Sequence, residues 1–123
     1  MRAAAAVMVA ALAAAAALAA CSGPSAPMPT PPPGAVVITA ERNLFVEQQI
    51  AAPAGAPFTL YFANRDSEPH NVRVLDSANL TVAATEIFSG PAARTVDGVT
   101  LAPGAYRLSC DIHSEMTAQL VAE

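Results

Sequence analysis

The sequence predicts an all-β fold, a single-domain β-sandwich, and three observations lead there. Past the apolar N-terminus, hydrophobic residues come in short β-branched or alternating stretches rather than long runs. Glycine and proline breaks separate those stretches, as they separate the strands of a sandwich. No later segment sustains a 3.6-residue apolar period long enough to give a helix a face to bury. A chain of 123 residues has room for one such domain.

Residues 1–20 open with Met1-Arg2 and continue in alanine, valine, leucine and methionine. Their apolar length would span a membrane. Their position, leading arginine and small terminal residues read instead as a secretory signal. Leu18-Ala19-Ala20-Cys21 resembles the bacterial lipobox, in which cleavage precedes the cysteine and the sulfur is acylated. Cys21 is therefore the expected lipidation site, with an uncleaved signal anchor as the alternative. Both readings put the domain outside the cytoplasm and beside a membrane, facing the periplasm or the extracellular space. Residues 21–34 carry that cysteine and a proline-rich linker without core-forming side chains. Thirteen residues of polyproline geometry would reach roughly 40 Å, a stiff and otherwise unstructured tether.

The domain is expected over 35–123. Ala35 to Ala40 is β-branched and reads as a strand, and Leu44 to Ile50 as a less regular second one. Ala52 to Pro57 is turn chemistry. Phe58, Leu60 and Phe62 then share one face of a strand. A polar loop from Asn64 to Pro69 leads into His70 to Leu75, where His70, Val72 and Val74 share a face. Asp76 to Ala93 is the least regular stretch, broken at Ser89-Gly90-Pro91, and a short helical turn is expected there. Thr95 to Leu101 forms a further strand, Ala102-Pro103-Gly104 a turn, and Tyr106, Leu108 and Cys110 the inward face of the next strand. Met116, Ala118 and Leu120 share one face of the last.

Four side chains stand out chemically. Cys110, His113 and Met116 have the spacing Cys-x-x-His-x-x-Met, and His70 lies forty residues before the cysteine. Taken singly, each has an ordinary reading: a hydrogen-bonded core histidine, a small buried hydrophobe, a gap-filling methionine. Together they exhaust the histidine, cysteine and methionine of residues 35–123, and all sit on the apolar parity of their segments. A free thiol in an oxidising compartment is also a liability unless a metal holds it. Two imidazoles and a thiolate with a weak axial thioether are the ligands of a mononuclear type 1 (blue) copper site for electron transfer. A disulfide between Cys21 and Cys110 is the competing assignment for the two cysteines.

Pro69-His70-Asn71-Val72 and Cys110-Asp111-Ile112-His113-Ser114-Glu115-Met116 resemble the copper-binding segments of cupredoxins, the plastocyanin and amicyanin family, and the loop spacing is most like the short amicyanin type. Ala52 to Thr59 and Leu101 to Tyr106 also look like bacterial cupredoxin domains. The resemblance implies a Greek-key β-sandwich with copper at one end. It also implies that Asn71 ties the two ligand segments together and that its backbone N–H meets the Cys110 sulfur. Two departures are visible. Asp111-Ile112 stands where such loops often carry proline, and Asp111, Ser114 and Glu115 thin the apolar rim around His113, the expected exit for electrons.

The net charge of −4, with arginine the only strong cation, gives no basic patch for nucleic acid. The expected partners are a redox protein, such as a cytochrome or copper oxidoreductase, and the membrane through the lipid anchor. Copper buffering or delivery outside the cytoplasm would use the same ligands and is the alternative function. An enzyme such as a multicopper oxidase would need further histidine-rich sites, and both histidines are already used. A binuclear copper centre would need a second loop cysteine, and a c-type haem a Cys-x-x-Cys-His motif; neither is present.

Overall fold

The computed structural model describes residues 28–123, so the signal segment, Cys21 and the linker as far as Pro27 lie outside the described residues. Eleven strands and no helix are found among them. β1 (Val36–Glu41), β2 (Leu44–Phe45), β4 (Phe58–Asn64) and β9 (Ala92–Val99) form one sheet in the order β2-β1-β4-β9. β3 (Gln49–Ala52), β6 (Arg73–Leu75), β7 (Thr81–Ala84), β10 (Gly104–Ser109) and β11 (Thr117–Ala122) form the second, ordered β3-β11-β10-β6-β7. β5 (Pro69–His70) and β8 (Phe88–Ser89) pair as a small separate ribbon. The pairings β1–β4 and β3–β11 are parallel, which requires the crossovers of a Greek-key sandwich.

The period-2 pattern decides which side chains meet. Ile38 lies opposite Phe62 across β1 and β4, while Leu108 lies opposite Val74 and Ala118 in the other sheet. Their buried faces form one core, with Phe62 in edge-to-face contact with Phe45 and Phe88 at centroid distances of 6.2 and 5.6 Å. Such geometry sets the positive ring edge against the negative face.

Several expectations are corrected. The stretch from Leu44 to Ile50 is two strands. The two-residue turn Arg42-Asn43, at φ 55 and 59°, folds β2 back onto β1. The Glu47 carboxylate then accepts from Thr39 N (2.7 Å) and Oγ1 (2.9 Å), and the chain leaves the first sheet and supplies β3 to the second. His70 to Leu75 is likewise not one strand: it breaks after His70, so β5 pairs with β8 and β6 with β10. No helical turn forms between Asp76 and Ala93. Asp76 Oδ1 accepts from the amides of Ala78 and Leu80, both at 2.9 Å, and this side-chain turn reverses the chain into the β6–β7 hairpin. The strand expected from Thr95 begins at Ala92. The end of the proline-rich linker is also not free of the domain: Tyr61 Oη donates to the Pro29 carbonyl, and Ala35 N to Pro32 O at 3.1 Å.

Candidate metal centre

Each candidate ligand is placed by the end of a strand. Pro69-His70 pairs with Phe88-Ser89, which fixes His70 against Phe88 and leaves its ring fully buried. β10 ends at Ser109, so Cys110 is the first residue of the turn to β11 and still follows the inward parity of Leu108. That turn closes when Met116 N donates to His113 O at 3.0 Å, which folds His113 back over the cysteine. Met116 is fully buried at the turn's far end, in the same core cluster as Cys110 and Phe88. His113 is half-buried, beside the exposed Ile112 and the polar Ser114 and Glu115.

His70, Cys110 and His113 converge. Their ligand atoms all lie within 4.8 Å of one another. The two Nδ1 atoms are 3.1 Å apart, and Cys110 Sγ lies 3.7 Å from His113 Nδ1. One ion can bridge donors at such separations with bonds of about 2.0–2.3 Å. Cys110 is a buried free thiol. Two imidazoles and a soft thiolate, with a buried thioether three residues beyond His113, fit a single type 1 copper and not a hard cation.

Sequence reasoning missed Asp66, placed only in a polar loop. Its Oδ2 lies 2.7 Å from His70 Nε2. A carboxylate can only accept, so Nε2 carries the proton, and in the neutral ring Nδ1 is left bare and aimed at the other donors. The same carboxylate accepts from the amides of Arg42 (2.8 Å) and Asn43 (3.0 Å), anchoring His70 to the β1–β2 turn. Burial pushes the Asp66 carboxyl up, but those two amides and the imidazole outweigh it and hold the group below the ordinary value. No local pattern announces this contact; the i,i+4 spacing of Asp66 and His70 was its only trace.

Asn71 does tie the two ligand segments together. Its Oδ1 accepts from Asp111 N at 2.8 Å and its Nδ2 donates to Asp111 Oδ2 at 2.9 Å. The hydrogen bond expected from the Asn71 amide to the Cys110 sulfur is not formed among the described residues; the sulfur faces His113 Nδ1 instead. Arg73, also missed, grips Asp111 through Nε (2.8 Å) and Nη2 (2.6 Å). That grip, with smaller help from Asn71 against a modest burial effect, holds the Asp111 carboxyl below the ordinary range.

The fold and the His–Cys–His convergence define a β-sandwich metal protein of the cupredoxin type. The chain belongs to the cupredoxin-like family, whose domain model matches residues 4–122. None of the curated proteins compared matches it. Among solved structures it is similar to reduced auracyanin from Roseiflexus castenholzii, at 18% identity and a TM-score of 0.63 over 73% of this chain and 97% of that one. It is also similar to auracyanin A of Chloroflexus aurantiacus, described as a "blue" copper protein, at 19% identity and a TM-score of 0.63 over 72% and 98%. Amicyanin from Paracoccus versutus aligns at 24% identity and a TM-score of 0.58 over 75% and 84%.

Proposed function

We propose that one copper would be held by His70 Nδ1, Cys110 Sγ and His113 Nδ1, with the Met116 thioether as a further donor, and that the chain carries single electrons outside the cytoplasm. The observation that carries the reading is the convergence of three donors from two separate segments in a largely buried cluster. Copper held there would supply one-electron cycling between its +1 and +2 states. The protein's own part is to fix the ligands through packing, so that little need move when the charge changes. His70 is sealed in the core and His113 reaches the surface, so His113 is the route by which electrons leave. The partner would be a redox protein docking transiently at that end. Cys21, acylated after signal cleavage, would hold the domain at a membrane. The role is electron carriage and not catalysis.

An absorption spectrum of the copper-loaded, oxidised protein tests the reading. Intense thiolate-to-copper absorption is expected in the wild type, and Cys110→Ser should remove it while far-ultraviolet circular dichroism stays that of a β domain. Colour that persists in Cys110→Ser would refute the assignment.

A further inference from the structure

The turn from Cys110 to Met116 carries three of the four proposed ligands but has little stiffness of its own. It lacks a proline between Cys110 and His113, and its one internal backbone hydrogen bond joins Met116 to His113. Restraint must therefore come from outside the loop. Arg73 is opposite Ser109 in the β6–β10 pairing, two positions short of Asp111. From there its guanidinium makes a two-point fork onto Asp111, and its third nitrogen, Nη1, donates to Thr81 Oγ1 of β7 at 2.8 Å. The arginine is thus braced on one strand while it holds the loop with another edge. Asp111 in turn makes two bonds to Asn71, the residue after His70. Both segments that supply donors meet at this one carboxylate.

We propose that Arg73 is the positioning residue of the ligand loop, acting through Asp111 to fix where Cys110 and His113 present their donor atoms. The grip does what a proline would do by covalent restriction of φ. An isolated surface ion pair of groups about a third exposed would contribute little, but a bidentate fork within a network is the arrangement that does hold geometry. Its consequence for the metal rests on the copper reading above, whereas its consequence for the loop can be measured without copper.

Arg73→Gln and Arg73→Lys in the full chain test both. In the metal-free protein, hydrogen exchange at the Asp111 and Met116 amides should quicken about two- to fivefold in each variant, the range a partly exposed ion pair supports, with the β4 amides affected no more than these. Lysine keeps the charge but cannot form the fork, so it should not rescue. In the copper-loaded, oxidised protein the charge-transfer bands should shift in energy and relative intensity. Unaltered exchange at both amides overturns the proposal whatever the spectrum shows. A wild-type chain that takes up copper without colour overturns the copper reading instead, and exchange still decides the role of Arg73. Should Arg73→Gln fail to fold, Arg73→Lys carries the same measurement.

Discussion

Asp66 shows how one acceptor settles the chemistry of a neighbouring ring. With an oxygen 2.7 Å from Nε2, His70 keeps its proton on the side away from Cys110 and His113. Asp66→Asn tests this, because an amide has one accepting and one donating end. If the oxygen takes the Oδ2 place, facing His70 and the Asn43 amide, the NH2 group confronts the Arg42 amide; if it takes the Oδ1 place, the NH2 group confronts the Asn43 amide and pushes the His70 proton onto Nδ1. Either orientation degrades the site, and copper affinity should fall about 10–100-fold, read by chelator competition. Wild-type affinity would count against the role. The four candidate ligands were legible in the sequence because their chemistry is rare and their parity regular. Asp66 and Arg73 were not, because acidic and basic residues in polar stretches are common and only the folded chain brings them to His70 and Asp111.

Among elements, the long alternating strands were legible and the short ones were not. Phe58 to Phe62 and Tyr106 to Leu108 carry enough alternation to announce a sheet, whereas β5 and β8 are two residues each and exist because they pair with one another. The turn after β8 depends on close approach. A Cβ on Gly90 would fall inside contact distance of the Asn64 and Asp66 carbonyl oxygens. Gly90→Ala should therefore cost about 1–3 kcal/mol in urea unfolding and loosen the loop bearing Asp66; an unchanged midpoint would show that the backbone yields freely. The Arg73–Asp111 tie makes a separate prediction in acid. The folded-state carboxyl lies below its ordinary 3.8, so the tie contributes fully above that value and is lost as pH falls through the lower folded one. Both groups are about a third exposed, so the gap between wild type and Arg73→Gln should be no more than about 1 kcal/mol near neutrality. It should close in the range below pH 3.8, as urea midpoints of the metal-free proteins would record. A gap that stays constant into strong acid would assign the difference to something other than this carboxylate.

For the whole molecule, the metal centre is a junction. His70 comes from the β5–β8 ribbon, Cys110 and His113 from the turn joining β10 and β11 of the second sheet, and Asp66 connects His70 to a turn of the first. An ion bound there ties together parts whose sequence positions are forty residues apart, and in the unfolded chain those donors do not converge. Binding to the folded state alone adds stability that grows with the ratio of ligand concentration to dissociation constant, about 4 kcal/mol at a thousandfold excess. In a domain of this size each 1 kcal/mol moves the midpoint by about 4–8 °C, so copper should raise it by about 15–30 °C. Affinity of the unfolded chain for copper would trim that figure. Calorimetry of metal-free and copper-loaded protein gives the measurement, with Cys110→Ser as the control. Losing the thiolate should shrink the shift to a small part of the wild-type value, because two imidazoles alone do not join the three parts as strongly. A wild-type midpoint indifferent to copper would mean that these donors, close as they are, do not act as one site.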